Sequence, residues 1–209
     1  VESLESVRLS MRCLHSVTHP DTSINFFGMH LRIPVIAAPS HCTSLNLGDM
    51  MRTPLDETAY AESVILGCLA GGIVGCGFDD AGDHASDASF KAIKKGNGKG
   101  IPFINPWDGD LMWKRLDQAV ETGCSVVGMN INEMGVMSWS IQGKPFSPKT
   151  PEEIAKIAKF LHDRGVNFMI KGVMTTADAE MAIENGVDAI IVSNHGGRII
   201  DGVPGAAEV

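Results

Sequence analysis

Residues 150–192 decide the fold class of this chain, and they read TPEEIAKIAKFLHDRGVNFMIKGVMTTADAEMAIENGVDAIIV. Thr150 is followed by Pro151 and, three residues on, by Glu153, which is the spacing of a capping box at a helix start. Apolar residues then recur at helical spacing as far as Gly165, and a glycine there supplies the left-handed conformation that ends many helices. The pattern predicts an amphipathic helix whose inward residues are Ile154, Ile157, Ala158 and Leu161.

A strand, a second helix and a second strand are predicted in the rest of this stretch. Residues 168–170 are continuously apolar, a helical pattern follows Thr175 and ends at Gly186, and residues 189–192 are again apolar. Continuous apolar runs are typical of parallel strands covered on both faces, and the intervening helix makes a right-handed crossover. The second helix is predicted to face inward with Ala179, Ala182 and Ile183.

The same alternation extends through the rest of the chain. The upstream apolar runs are 33–38, 72–76, 101–104 and 125–129, and further helical windows lie at 59–69 and 111–120. Alternating strands and helices predict a parallel α/β fold, either a (β/α)8 barrel or an open doubly wound sheet. The first run leads into Pro39-Ser40-His41-Cys42 rather than a glycine-rich dinucleotide loop, and polar residues follow several different strands, which favours the TIM barrel.

The strand spacing predicts an incomplete barrel. The six runs recur about every 31 residues, and a full barrel usually needs roughly 250 residues, whereas this chain has 209. We therefore expect about six of the eight β/α units, with residues 1–30 as a lead-in segment and 31–209 as the partial barrel. Such a sheet should leave two edges and apolar surface exposed.

Composition excludes several classes of protein. The chain is 44% apolar and 20% charged, as globular proteins are, and its formal charge of −8 argues against a nucleic-acid-binding surface. The uncharged run at 63–78 is shorter than the ~20 residues of a membrane helix, so no membrane span is expected. No signal peptide is visible, and five scattered cysteines without a C-x-x-C pair predict a reducing cytoplasm.

Two polar motifs stand at predicted strand ends. Lys171 follows the fifth apolar run, and Ser193-Asn194-His195-Gly196-Gly197-Arg198 follows the sixth. An imidazole beside two glycines is typical of a base in a cleft, and Arg198 offers a planar fork for a carboxylate or phosphate. Taken singly, each motif also fits a surface loop with solvated side chains.

Together the two motifs closely resemble the FMN-dependent α-hydroxy-acid oxidase and dehydrogenase family. The resemblance is tight over 167–209, where the matching strings include Ile170-Lys171-Gly172-Val173, Gly186 through Arg198, and Asp201-Gly202. It is weaker over 20–40, where Asp21-Thr22-Ser23, Phe27-Gly28 and Pro34 through Pro39 match, and loose between. The resemblance implies oxidation of a 2-hydroxy acid such as lactate or glycolate to the 2-oxo acid. The electron acceptor and self-association stay open.

The resemblance also implies roles for individual residues. His195 matches the base that removes a proton from the substrate, Arg198 matches the residue that binds the substrate carboxylate, and Lys171 matches the cation beside flavin N1 and O2. His41 is a further candidate on the substrate side. The residues expected to line the flavin are Ala37, Ala38, Pro39, Asn105, Asn130, Lys171 and Ser193.

Several departures from the family pattern qualify these roles. Asn132 stands where the family has the Asp that orients the base, so His195 is expected to be a weaker base than usual. Trp107 stands near the place of a substrate-contacting Tyr and is expected to fill volume only, and no second carboxylate-binding Arg follows Asn132. The phosphate-binding loops of the family lie on the seventh and eighth strands, so we expect this chain alone to bind FMN weakly or not at all.

Two other functions also agree with parts of the sequence. The first is a non-catalytic, truncated relative or scaffold, which Asn132 and the short chain favour. The second is an FMN barrel for a phosphorylated or isoprenoid substrate, which would require basic residues near the barrel mouth between the third and fifth strands, and the sequence predicts none at the mouth there.

No metal site is predicted. The one acidic cluster, Asp79-Asp80 with Asp83, His84 and Asp87, lacks the spacing of a calcium-binding loop and is interpreted as a solvated or mobile loop.

Overall fold

The structure is a computed structural model that describes residues 2–40, 56–80, 83–132 and 146–209. The helices are α1 (Glu2–Ser6), α2 (Glu57–Gly71), α3 (Asp83–Lys95), α4 (Asp110–Val120), α5 (Pro151–His162) and α6 (Thr176–Glu184). The strands are β1 (Ile24–Phe26), β2 (Met29–Leu31), β3 (Ile36–Ala37), β4 (Val74–Gly75), β5 (Phe103–Ile104), β6 (Val126–Asn130), β7 (Asn167–Val173) and β8 (Ala189–Val192). A 3-10 turn, His195–Gly197, follows β8.

Strands β3 to β8 form a row of parallel strands in chain order. β3 pairs with β4, and β5, β6, β7 and β8 form a four-stranded sheet. A parallel bridge between Cys76 and Ile101 joins the two sheets. Each strand thus lies beside the next one in sequence, which is the strand order of the (β/α)8 barrel rather than of a doubly wound sheet. The predicted fold class is confirmed, with six of the eight barrel strands among the described residues.

Alternation along the strands separates two apolar layers. Barrel-interior residues from four strands, among them Cys76, Phe103, Val126 and Met169, pack together with the β1–β2 hairpin. The intervening residues, such as Met129 and Ile170, face outward and pack against the helices. The hairpin covers the amino-terminal end of the strands, because the Arg32 N–H donates to the carbonyl of Gly72 just before β4 at 2.7 Å. The carboxyl ends of the strands are therefore left uncovered by the hairpin, and this is the end at which a barrel carries its active site.

The predicted helix signals at 150–165 are confirmed. The Thr150 hydroxyl accepts from the Glu153 N–H at 3.3 Å, and the Glu153 carboxylate accepts from the Thr150 N–H at 2.8 Å. The four predicted inward residues of α5 are buried, and Gly165 has a φ of +72°. In α6, Ala182 is buried as predicted, but Ile183 is 72% exposed. That prediction was wrong because one residue turns about 100° around a helix, which directs Ile183 away from the sheet.

The two sheet edges that the sequence predicts are present. Within the described residues, β8 pairs with β7 alone and β3 pairs with β4 alone. Ile190 and Val192 on the outer face of β8 are 38% and 37% exposed, whereas their neighbour Ile191 packs against the interior cluster. The division into 1–30 and 31–209 stays a prediction, and its boundary falls inside β2.

The acidic cluster is not a solvated loop, and that interpretation was wrong. Asp83 begins α3, and Asp79 is only 2% exposed. The helix escapes a search for apolar periodicity because small polar residues occupy part of its inner face, where Ser86 and Ser89 are fully buried. None of the described helices is long and apolar enough to cross a bilayer.

Candidate functional site

Polar side chains end the interior rows of neighbouring strands. Asn130 at the end of β6 pairs in register with Lys171 of β7, and Asn105 follows directly after β5. Lys171 lies two residues beyond the interior residue Met169, so both side chains are on the interior face of β7. Asn105, Asn130 and Lys171 are 3%, 8% and 9% exposed, respectively. The structure therefore brings these three predicted site residues together at the carboxyl end of the strands.

Asn132 orients the imidazole of His195. The Asn132 Nδ2 donates to the Ser193 carbonyl at 3.2 Å, and the Asn132 Oδ1 lies 3.1 Å from the His195 Nδ1. A carbonyl accepts only, so the Asn132 amide must direct its NH2 to Ser193 and its oxygen to His195. That oxygen also accepts only, so the His195 Nδ1 carries a proton and the neutral imidazole has its lone pair on Nε2.

Gly172 makes room for Asn132. It lies in a bulge of β7, between Lys171 and Val173, with a φ of +121°. A Cβ at this position would lie 2.7 Å from the Asn132 Cγ, which is closer than such atoms approach. The glycine in the Lys171-Gly172 string is therefore required by the packing of the residue that holds His195.

The loop that carries His195 is tightly turned. His195 itself has a φ of +56°, which non-glycine residues adopt rarely. Its N–H donates to the Ser193 hydroxyl at 3.2 Å, and the Arg198 Nε donates to its carbonyl at 3.1 Å. The predicted base, Ser193 and the exposed Arg198 thus belong to one hydrogen-bonded turn at the end of β8.

Asn105 is held by Asp79, at the end of the neighbouring strand β4. The Asn105 N–H donates to the Asp79 carboxylate at 3.1 Å, and its Nδ2 donates to the Asp79 carbonyl at 3.0 Å. The side-chain orientation is therefore determined, and no described residue donates to the Asn105 Oδ1. At the end of the next strand, the buried Asn130 Oδ1 likewise has no hydrogen-bond partner within the described part of the chain.

Asp79 forms a buried ion pair that sequence reasoning missed. Its Oδ1 lies 2.9 Å from the Arg115 Nε, and both side chains are fully buried. Burial raises the pKa of Asp79 to about 6, an effect that the Arg115 charge and the hydrogen bonds from Trp107 and Asn105 oppose. A signal existed in the sequence, because Arg115 lies on the apolar face of α4 beside Leu116 and Ala119, where an unpaired charge is not tolerated.

The remaining predicted site residues have less defined surroundings. Ala37 ends β3, and Ala38 and Pro39 follow it at the same end of the strands. There the Ala37 carbonyl accepts from the Cys76 N–H at 3.0 Å. His41 lies outside the described residues. No group of three or more His, Cys, Asp or Glu side chains in the described ranges could hold a metal ion.

Trp107 does not line the barrel interior. It is fully buried among the helix-facing residues, its ring centroid lies 4.3 Å from that of Phe146, and its Nε1 donates to Asp79. Trp107 therefore fills the outer core, not the space that the family's Tyr would occupy.

A protein-family comparison matches residues 85–209 to the FMN-dependent dehydrogenase family. The chain belongs to this family. The matched residues include Asn105, Asn130, Lys171 and the turn from Ser193 to Arg198. The predicted family and its cofactor, FMN, are confirmed.

Individual relatives agree with this assignment. The chain is 25% identical to an L-lactate oxidase of Lacticaseibacillus rhamnosus, over 99% of this chain and 60% of that protein. It is 44% identical to Oxidase FUB9 of Gibberella fujikuroi, over 96% of this chain and 57% of that protein. A crystal structure of mandelate oxidase superimposes with a TM-score of 0.72 at 21% identity, covering 99% of this chain and 62% of that one, which supports the barrel fold. The chain thus spans about 60% of the length of the relatives it matches.

Proposed function

We propose that the whole protein oxidises a small 2-hydroxy acid to the 2-oxo acid with FMN as its cofactor. The observation that carries this proposal is the His195 imidazole, whose contact with Asn132 leaves the lone pair on Nε2. Such a reaction needs positive charges and hydrogen-bond acceptors near the flavin and the substrate. At the same end of the barrel, the charges would come from Lys171 and Arg198, and the acceptors would be the side-chain oxygens of Asn105 and Asn130.

The described residues fit FMN. The Asn130 Oδ1 is a buried acceptor without a hydrogen-bond partner among the described residues, and a buried atom of this kind is normally satisfied by a ligand, a water or another residue. We assign the flavin to Asn130, to the Asn105 oxygen beside it, to Ser193, and to the backbone of Ala37, Ala38 and Pro39. When bound, FMN would accept the two electrons that leave the substrate. The buried ammonium group of Lys171 would stabilise negative charge that develops there.

His195 is the proposed base. Its Nε2 would receive the proton that leaves the substrate, which gives an imidazolium whose Nδ1–H remains bonded to Asn132. Asn132 is neutral, so it orients the ring without stabilising the positive charge as a carboxylate would. His195 should therefore be a weaker base than one paired with Asp.

Arg198 is the proposed carboxylate-binding residue. Its Nε is engaged by the His195 carbonyl, so the Nη groups of the guanidinium are the donors that we assign to the substrate. This contact ties the carboxylate-binding group to the backbone of the base, which would hold the α-carbon close to Nε2. His41 is proposed as a further residue on the substrate side.

The cellular setting is proposed on weaker grounds. The scattered cysteines favour the cytoplasm, and the net charge argues against a nucleic-acid partner. The electron acceptor (oxygen, a quinone or another protein) and self-association are left open.

The proposal is tested by mixing the full-length protein, loaded with FMN, anaerobically with L-lactate, glycolate and L-mandelate. At least one substrate should bleach the visible absorbance of the flavin. His195→Gln should retain bound FMN but lose bleaching by about 10²-fold or more, the usual contribution of a general base. Bound FMN that none of these acids bleaches would instead support the non-catalytic relative, and a full-length protein that binds no FMN would exclude the proposed enzyme.

A further inference from the structure

The buried pair of Asp79 and Arg115 lies outside the residues that the proposed reaction uses. Neither side chain reaches solvent. The Arg115 Nη1 donates to the Gln118 side chain and its Nη2 donates to the Asp80 carbonyl, each at 2.9 Å. A buried ion pair is seldom the most stable way to fill a core, since apolar residues of similar volume often do as well. Its presence at the end of β4 therefore calls for a role other than stability.

Asp79 is anchored on one side and holds Asn105 on the other. Its Oδ1 faces Arg115, and its Oδ2 accepts from both the Asn105 N–H and the Trp107 Nε1. Its own backbone carbonyl accepts from the Asn105 Nδ2. Asp79 thus accepts from the backbone of Asn105 with its side chain and from the side chain of Asn105 with its backbone. These two contacts determine both the path of the loop after β5 and the rotation of the amide.

We propose that Asp79 is a positioning residue that holds Asn105 with its amide oxygen directed to the proposed flavin site. This inference rests on the proposed function, in which the Asn105 and Asn130 oxygens are neighbouring acceptors for the flavin. Arg115 keeps the Asp79 carboxylate in place from the helix layer. The Trp107 Nε1 also donates to the Asp79 carboxylate, so the loop cannot rotate without breaking several buried hydrogen bonds.

The first experiment measures the loop without any cofactor. Asp79→Leu/Arg115→Met in the full-length protein replaces the charges by apolar side chains of similar size, which avoids leaving one charge buried alone. Amide hydrogen exchange of residues 103–107 should become about tenfold faster or more, because the Asn105 N–H loses a charged acceptor. Exchange in β6 to β8 should not change.

The matched control is Asp188→Asn. The Asp188 carboxylate also contacts a basic side chain, the His162 Nε2 at 2.7 Å, and it also accepts a backbone N–H, from Phe168 at 2.7 Å. It lies at the amino-terminal end of β8, away from the site. This variant should lower stability but leave the exchange of residues 103–107 and the affinity for FMN unchanged.

The second experiment measures FMN binding by quenching of flavin fluorescence. The Asp79→Leu/Arg115→Met protein should bind FMN about tenfold more weakly than the wild type, as expected for one misplaced acceptor. In an Asn105→Ala background the same double substitution should cause no further loss, because Asp79 acts through Asn105. A purely structural pair would change the affinity equally in both backgrounds.

The outcomes separate this inference from the proposed function. Unchanged exchange at residues 103–107 overturns the inference whether or not the protein binds FMN, and so does an equal loss of affinity with and without Asn105. If the double substitution speeds exchange at residues 103–107 but the wild-type protein binds no FMN, the result supports the contact of Asp79 with Asn105 and counts against the proposed function alone.

Discussion

Replacing Gly172 by alanine should displace Asn132 and so remove the side chain that orients His195. The new Cβ would lie 2.7 Å from the Asn132 Cγ and 3.0 Å from its Cβ, against about 3.4 Å for an ordinary contact. These atoms lie close to the Asn132 backbone, so they cannot simply swing away. The clash must be relieved by moving the strand end or the whole asparagine.

The expected loss of stability follows from three contributions. A φ of +121° is strained for alanine by about 1–3 kcal/mol. Losing the two Asn132 hydrogen bonds, to His195 and Ser193, removes about 0.5–1.5 kcal/mol each. The lower entropy of the unfolded alanine chain offsets about 0.4–1 kcal/mol. We therefore expect the free energy of unfolding of the full-length protein to fall by about 1–6 kcal/mol.

Urea-induced unfolding followed by circular dichroism measures this change. Gly165→Ala is the matched control, since Gly165 has a φ of +72° but open space around it, and it should show the backbone strain alone. In an Asn132→Ala background, Gly172→Ala should be less destabilising by about 1 kcal/mol or more, because the closest contact is gone. Equal effects in both backgrounds would refute the packing of Gly172 against Asn132.

Three further predictions concern the charges around the site. Arg115→Met should lower the free energy of unfolding by about 3–5 kcal/mol, because it leaves Asp79 buried without its partner. Urea unfolding should show that adding Asp79→Leu restores most of the lost stability. Burial raises the pKa of Asp79 from 3.8 to about 6, so the folded protein binds this proton more tightly than the unfolded chain does. The stabilisation that comes from protonating Asp79 is therefore greatest below pH 3.8, and it is lost as the pH rises through about 6. Urea unfolding measured between about pH 4 and pH 6 should show that Asp79→Leu/Arg115→Met loses this part of the pH dependence of stability. An unaltered pH profile would contradict the raised pKa of Asp79. Asn132→Asp should move the acid limb of the kcat/KM profile of the full-length enzyme to higher pH by about one unit or more, because a carboxylate stabilises the His195 imidazolium. An unmoved limb would show that His195 is not the titrating base.

The elements of the barrel could be predicted because their signals are local. The capping box at Thr150, the glycine at 165 and the apolar run of β7 each act within a single element, where spacing alone determines the outcome. Helix α3 was missed because buried serines replace part of its apolar face. The burial of a polar side chain depends on what packs over it, which local periodicity does not report.

For the candidate site, the sequence by itself determined which residue types follow which strands, including Lys171 on β7 and His195 after β8. It also determined the family, since the string from Ser193 to Arg198 is specific. Only the tertiary structure decided how these residues are held. Asn132 and His195 are 63 residues apart, and Asp79 reaches Asn105 from another strand. Contacts of this kind depend on strand register and on the bulge at Gly172, and these are set when the whole sheet packs.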